Sequence, residues 1–264
     1  MRPSVRFFLL ALCLFTMADA RCAEKPWRLV WSDEFNDRGR PNRKKWNYEE
    51  GFVRNEELQF YTKDRARNAR VEDGNLVIEA DKEDFNETAR YTSASLTTQG
   101  KADWKHGRFE IRAKLPAGRG MWPAIWLLGS KINRVGWPEC GEIDIMEYVG
   151  FLPDTIHGTV HTSAYNHTLK TQRGKTLEVA APHASFHIYA IEWSKDRIDF
   201  FVDDQKYFTF SNEGTGRAVW PFDGKHFLIL NVAIGGNWGG QKGVDDSIFP
   251  QRMLVDYVRV YQRR

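Results

Sequence analysis

Apolar and polar residues alternate with a period of two along most of the chain, the spacing of strands with one buried and one wet face. The clearest run is His106 to Pro116. Phe109, Ile111, Ala113 and Leu115 fall on one side of it, and Arg108, Glu110, Arg112 and Lys114 on the other. One side is core, the other solvent or cleft wall. Leu76, Ile78 and Ala80 repeat the pattern after a Gly74-Asn75 turn signal. From Phe186 to Phe210 three strands are separated by Ser194-Lys195-Asp196 and by Asp203-Asp204-Gln205, which predicts an antiparallel meander. Trp27 to Phe35, Thr155 to Tyr165, His226 to Ile234 and Met253 to Gln262 read as further strands. No long run has helical periodicity, and no repeat, low-complexity tract or linker interrupts the pattern. The chain is therefore expected to be all-β, with two antiparallel sheets packed face to face.

One strand breaks the rule that charge stays out of apolar runs. Gly141 to Gly150 reads GEIDIMEYVG and holds Glu142, Asp144 and Glu147 among core-forming residues. Alternation puts Glu142 and Asp144 on one face and Glu147 on the other. A single β-bulge near Ile145 and Met146 absorbs one residue and returns Glu147 to the face of Glu142. Like charges in a partly desolvated cleft push each other's pKa values apart, so one carboxyl holds a proton near neutrality while another stays anionic. Acid-plus-nucleophile chemistry on a glycosidic bond needs that division. The competing readings are a calcium-ligand cluster or a solvated acidic rim.

GEIDIMEYVG resembles the active-site strand of glycoside hydrolase family 16, in the bulged Glu-x-Asp-x-x-Glu form of laminarinases, agarases and carrageenases. The resemblance implies a jelly-roll sandwich of the concanavalin A-like type, with a concave sheet carrying the cleft. It implies a retaining double displacement with Glu142 as nucleophile, Glu147 as acid/base and Asp144 as the assisting carboxylate. The substrate class it implies is a laminarin-type β-glucan cut at 1,3-linkages by endo action. A non-catalytic glucan-recognition module and a related galactan hydrolase are the alternatives.

Asn55 to Thr62, NEELQFYT, resembles the laminarinase segment whose Asn meets the substrate, so Arg54 and Asn55 are candidates for sugar binding; Arg54 reads equally as a surface cation. Gly118 to Gly129, GRGMWPAIWLLG, carries Trp122 and Trp126 four apart on one strand face, either a platform for sugar rings or a core pair. Trp137, ahead of Pro138 in a loop, is a stacking candidate, as is Trp238 in the glycine-rich Gly235 to Gly240. His157 and His161 share one face of their strand, and His161 resembles the family's histidine beside the catalytic acids. Its other reading is an imidazole merely satisfied within the sheet. A His–Glu metal site is not expected, because no third ligand falls at metal spacing. The resemblance also implies a structural calcium held by Glu34, the Gly74 carbonyl and Asp256, remote from the cleft; no cofactor is required for the chemistry.

Composition adds context to this picture. The 264 residues fit one catalytic domain, residues 21–264, behind a signal peptide at residues 1–20. That segment has Arg2 and Arg6, an apolar run from Phe7 to Met17, and Ala18-Asp19-Ala20 as a small-x-small cleavage site. The run is too short for a membrane anchor, so a secreted, soluble monomer is expected. A net charge of +3 gives no reason to expect nucleic acid as a partner. Ten Trp are far more than a core of this size requires, which leaves several for sugar faces. Once the leader is removed only Cys22 and Cys140 remain, and no structural disulfide is expected.

Overall fold

The structure, a computed structural model, describes residues 25–263. The expected signal peptide and Cys22 lie outside the described residues. Two sheets face each other. The seven-stranded sheet runs, edge to edge, Arg173–Glu178, Thr155–His161, Glu142–Glu147, Met121–Gly129, His226–Ile234, Ser95–Thr97 and Asn47–Glu49. The ten-stranded sheet is built around Gly107–Lys114 and the long Gln251–Arg263, with the predicted meander His187–Trp193, Arg197–Val202 and Gln205–Ser211 along one side. One pair departs from the antiparallel expectation, since Gln59–Tyr61 runs parallel to Tyr91–Ser93.

The alternation read from the sequence becomes the core. Along Gly107–Lys114 every second residue is buried, and Phe109 and Ile111 are fully so. Facing them from the other sheet are Ile125, Leu127, Ile143, Val160, Leu228 and Leu230, all in one continuous hydrophobic cluster. Each such side chain contributes about 1.5–3 kcal/mol by leaving water. The opposite face of Gly107–Lys114 is solvent, not cleft wall: Arg108 pairs with Glu110 on its own strand and with Glu192 on the neighbouring one, and Arg112 pairs with Asp256. Such partly exposed pairs at the surface add little stability but keep the outer face polar.

The tryptophans divide between core and cleft. Trp46, Trp104, Trp193 and Trp220 are buried in the main core, whereas Trp122, Trp126, Trp137 and Trp238 line a cleft on the outer face of the seven-stranded sheet. Gly236–Gly239, expected as open loop, is a single helical turn, and Ile132–Val135 is another. No helix among the described residues is long and apolar enough to cross a membrane. Cys140 is a buried free thiol at the entry to the Glu142–Glu147 strand, and burial pushes it up to about 12.

Candidate active site

The bulge falls where the charge pattern requires it. Against Met121–Gly129 the register runs Glu142↔Leu128, Ile143↔Leu127 and Asp144↔Trp126, then skips to Met146↔Ile125 and Glu147↔Ala124. On the other side the pairs are Glu142↔His161, Asp144↔Thr159 and, after the shift, Glu147↔His157. Ile145 has no partner on either side, and both it and Met146 are packed into the core cluster. Two consecutive apolar residues are thereby absorbed inward, and Glu142, Asp144 and Glu147 all line the same cleft.

Each outer carboxyl is held by an indole. Trp137 Nε1 donates to Glu142 Oε2 at 3.1 Å, and Trp122 Nε1 donates to Glu147 Oε1 at 3.0 Å. Both tryptophans therefore orient these carboxyls as well as bordering the cleft. His161 Nε2 lies 3.3 Å from Asp144 Oδ2 and 3.7 Å from Glu142 Oε1. The sequence spacing offered no third metal ligand beside this His–Glu pair, and the fold corrects that: Asp144 completes a group whose ligand atoms lie within 4.8 Å of one another. The same geometry presses one imidazole against two carboxyls.

Burial dominates the titration of all three acids. It pushes Glu142 up to about 8, with Asp144 adding to the rise and His161 and Arg54 opposing it. Glu147 is pushed up to about 8 by burial and then by Asp144, while His161 and the Trp122 N–H pull it down and Glu57 adds to it. Asp144 rises to about 8 by burial alone. The surroundings are unequal. A cation, Arg54, acts on Glu142, and an anion, Glu57, acts on Glu147. Both carboxyls nonetheless stand at about 8, so these charges bias the coupled pair without ordering its two protons.

The cleft has a volume of about 880 Å³, within the range of sites that enclose several ring-sized groups. Its walls are aromatic. Trp137 lies 4.8 Å from His167, and Trp238 lies 5.6 Å from Trp122 and 4.8 Å from His157, ring centre to ring centre. Trp126 is both packed and part of the cleft lining. It is 7% exposed and packs with Phe227 and Ile229, yet it forms the cleft floor with the Arg54 guanidinium 5.0 Å above its ring. Arg54 is no free surface cation, since it also pairs with Glu49. Asn55 sits at φ 57, a left-handed turn conformation that Asn tolerates, and its side chain lines the cleft.

The expected calcium ligands stand apart from this cleft. Asp256 is the bulged residue of Gln251–Arg263, one step past the Val255↔Leu76 pair and so beside the Gly74 turn. Glu34 follows Asp33, which pairs with Val258 on the same strand. The backbone thus brings the three positions together, but the carboxylates are occupied. Arg259 donates to both oxygens of Glu34, at 3.0 and 2.8 Å, and Arg112 holds Asp256 at 2.5 Å. A cation there must displace two guanidinium groups.

Among the cleft residues that escaped the sequence reading are Glu49, Glu57, His167 and Asn231. Asn231 carried a signal, as the lone amide in the otherwise apolar strand His226–Ile234 apart from its leading histidine. Glu57 alternates with Gln59 and Tyr61 and so shares their face. Asn166, which opens an Asn-His-Thr sequon, is 2% exposed and spends its side chain capping a helical turn.

The model of the family described as Glycosyl hydrolases family 16 matches residues 56–259. A beta-glucanase from Rhodothermus marinus is 51% identical over 267 residues, which cover 97% of this chain and 93% of its own. The X-ray structure of the laminarinase from the same organism superposes with a TM-score of 0.88 at 53% identity, covering 90% of this chain and 98% of that one. A non-specific endo-β-1,3(4)-glucanase superposes with a TM-score of 0.86 at 51% identity, covering 91% and 93%. Half of all positions are shared along nearly the whole length, on the same jelly-roll sandwich, and the chain belongs to glycoside hydrolase family 16.

Proposed function

We propose that this protein is a retaining endo-β-1,3-glucanase acting on laminarin-type glucans. The observation that carries the reading is the bulge, which turns Glu142 and Glu147 onto one cleft wall and leaves an indole N–H on each. In the first step a Glu142 carboxylate oxygen attacks the anomeric carbon while the glycosidic C–O bond breaks, and Glu147 gives its proton to the leaving oxygen. In the second step Glu147, now anionic, takes a proton from water as the water oxygen attacks the same carbon and releases Glu142. Two inversions return the original anomer. Asp144 assists by raising both glutamates and holding His161 against them. Arg54, Asn55, Trp126, Trp137 and Trp238 supply the sugar-facing polar and aromatic surface.

Glu142→Gln lowers kcat on laminarin by at least roughly 10⁴-fold while laminarin binding persists. Undiminished turnover sinks the assignment. The time course of products from laminarin, lichenan and agarose tests the substrate and the cutting mode: long oligosaccharides early from laminarin support endo-1,3 action, and release from agarose alone supports the galactan reading. Binding without reducing-sugar release from any of them returns the recognition-module reading.

The pattern of Met1 to Ala20 supports export of the enzyme. A structural calcium at Glu34, Gly74 and Asp256 is proposed on the placement of those positions, and a melting temperature unchanged by chelator and by added calcium rejects it.

A further inference from the structure

Glu57 is 7% exposed, and its carboxylate accepts three side-chain hydrogen bonds. Asn55 Nδ2 donates to Oε1 at 3.2 Å; Gln59 Nε2 and Tyr61 Oη donate to Oε2 at 2.7 and 3.0 Å. Each donor leads somewhere. Tyr61 Oη accepts from Asn231 Nδ2 at 3.0 Å, and Asn231 Oδ1 accepts from Trp126 Nε1 at 2.8 Å. Gln59 Oε1 accepts from the Ile234 backbone N–H at 2.7 Å. Glu57 itself bridges to Gly235, and the Asn55 carbonyl accepts from Asn237 N at 2.9 Å, which fastens the turn that carries Trp238.

We infer that Glu57 is a positioning residue: its carboxylate joins Asn55 to the Tyr61–Asn231–Trp126 chain, beside the backbone bridge that ties the Gly235–Gly240 turn, so that this side of the cleft is ordered before substrate arrives. The inference rests on the cleft being a glucan site. A buried carboxylate is expensive, and an apolar residue fills the same volume at lower cost. Glu57 is explained by the donors around it, which all need an acceptor in one place.

The network also says what its loss does. Gln59 cannot turn its amide over, because its oxygen is committed to the Ile234 N–H. In Glu57→Gln the new amide must therefore keep its oxygen toward Gln59 and Tyr61 and point its NH₂ at Asn55. Asn55 relieves the clash by flipping, and then shows the cleft an N–H where it showed a carbonyl oxygen. The polarity of the wall inverts with little change of shape.

The test uses the full chain with laminarihexaose. Glu57→Gln is expected to raise KM about tenfold with a smaller change in kcat, the size of one misplaced polar contact. Asn55→Ala is expected to do about the same, and the double variant about as much as either alone, because both remove one contact. Losses that multiply to about a hundredfold overturn the inference, as does a loss confined to kcat. Should Glu57→Gln not fold, Tyr61→Phe with Trp126→Phe provides a second pair on the other arm of the network, with the same outcomes. Calorimetric binding in a Glu142→Gln background separates the two proposals. Equal affinity with and without Glu57→Gln rejects the positioning role alone, whereas retained turnover in Glu142→Gln rejects the catalytic assignment whatever Glu57 does.

Discussion

Glu142 and Glu147 occupy the same strand at the same depth, and what distinguishes them is the company each keeps. The Trp122 N–H favours the charged form of Glu147 and so holds its pKa down. Trp122→Phe removes that donor, and Glu147 stays protonated to higher pH. The acid limb of the kcat profile, set by Glu142 losing its proton, is expected to stay in place, and the alkaline limb to move up by about one unit. A pH–rate profile checks this, and an alkaline limb that moves down contradicts the assignment of Glu147 as the acid. At this scale the three acids were legible, because charge inside an apolar strand is conspicuous. Glu57 and Asn231 were not, since their meaning lies in partners far along the chain: Asn231 reaches Tyr61 across 170 positions.

Alternation made the elements legible wherever one face of a strand is core, as along Gly107–Lys114. It failed where neither face is. Arg173–Glu178 is an edge strand exposed at nearly every position, with no apolar period to read. Gln59–Tyr61 is too short for a period, and its parallel pairing depends on a crossover that local sequence does not encode. Packing between elements is likewise invisible in sequence. Gly158, between the cleft histidines' positions on Thr155–His161, is such a case: a Cβ there meets Tyr207 Oη at 2.3 Å and Phe200 Cδ1 at 3.0 Å. Its backbone is ordinary strand, so the constraint is purely steric. Gly158→Ala is expected to cost about 1–3 kcal/mol, the range for overpacking a filled core. Tyr207→Phe removes the nearest atom and is expected to restore part of that loss in the double variant, as read by thermal melting. Equal destabilisation with and without the Tyr207 hydroxyl contradicts this packing account.

Across the whole molecule the active site works against stability, and the direction of its pH dependence follows from the sign of the shifts. Glu142, Asp144 and Glu147 are each held near 8 in the folded protein, above their unfolded values of 4.5, 3.8 and 4.5. Carboxyls raised on folding leave the native state most favoured at low pH and penalise it as pH climbs through the folded value, at about 1.4 kcal/mol per pH unit per proton. Histidines lowered by burial oppose them, His106, His157 and His167 among them and His226 with a large shift. His226 is fully buried between Trp193 and Phe222, and burial lowers it from 6.5 to about 4. A base lowered on folding gives stability above pH 6.5 that is lost as pH falls toward 4, so it cancels one carboxyl across that window. Between pH 6.5 and 8 the carboxyls act alone, and the protein is expected to melt lower as pH rises. Glu142→Gln removes one of the titrating groups while keeping its volume and its acceptor for the Trp137 N–H. It is expected to melt several degrees above the parent at pH 8, with the gap closing toward pH 4.5, where the parent carboxyl is protonated in both states. A variant that is inactive yet more stable, with that pH signature, places the cost of catalysis in the desolvated acids of the cleft; a variant that melts below the parent at pH 8 refutes it.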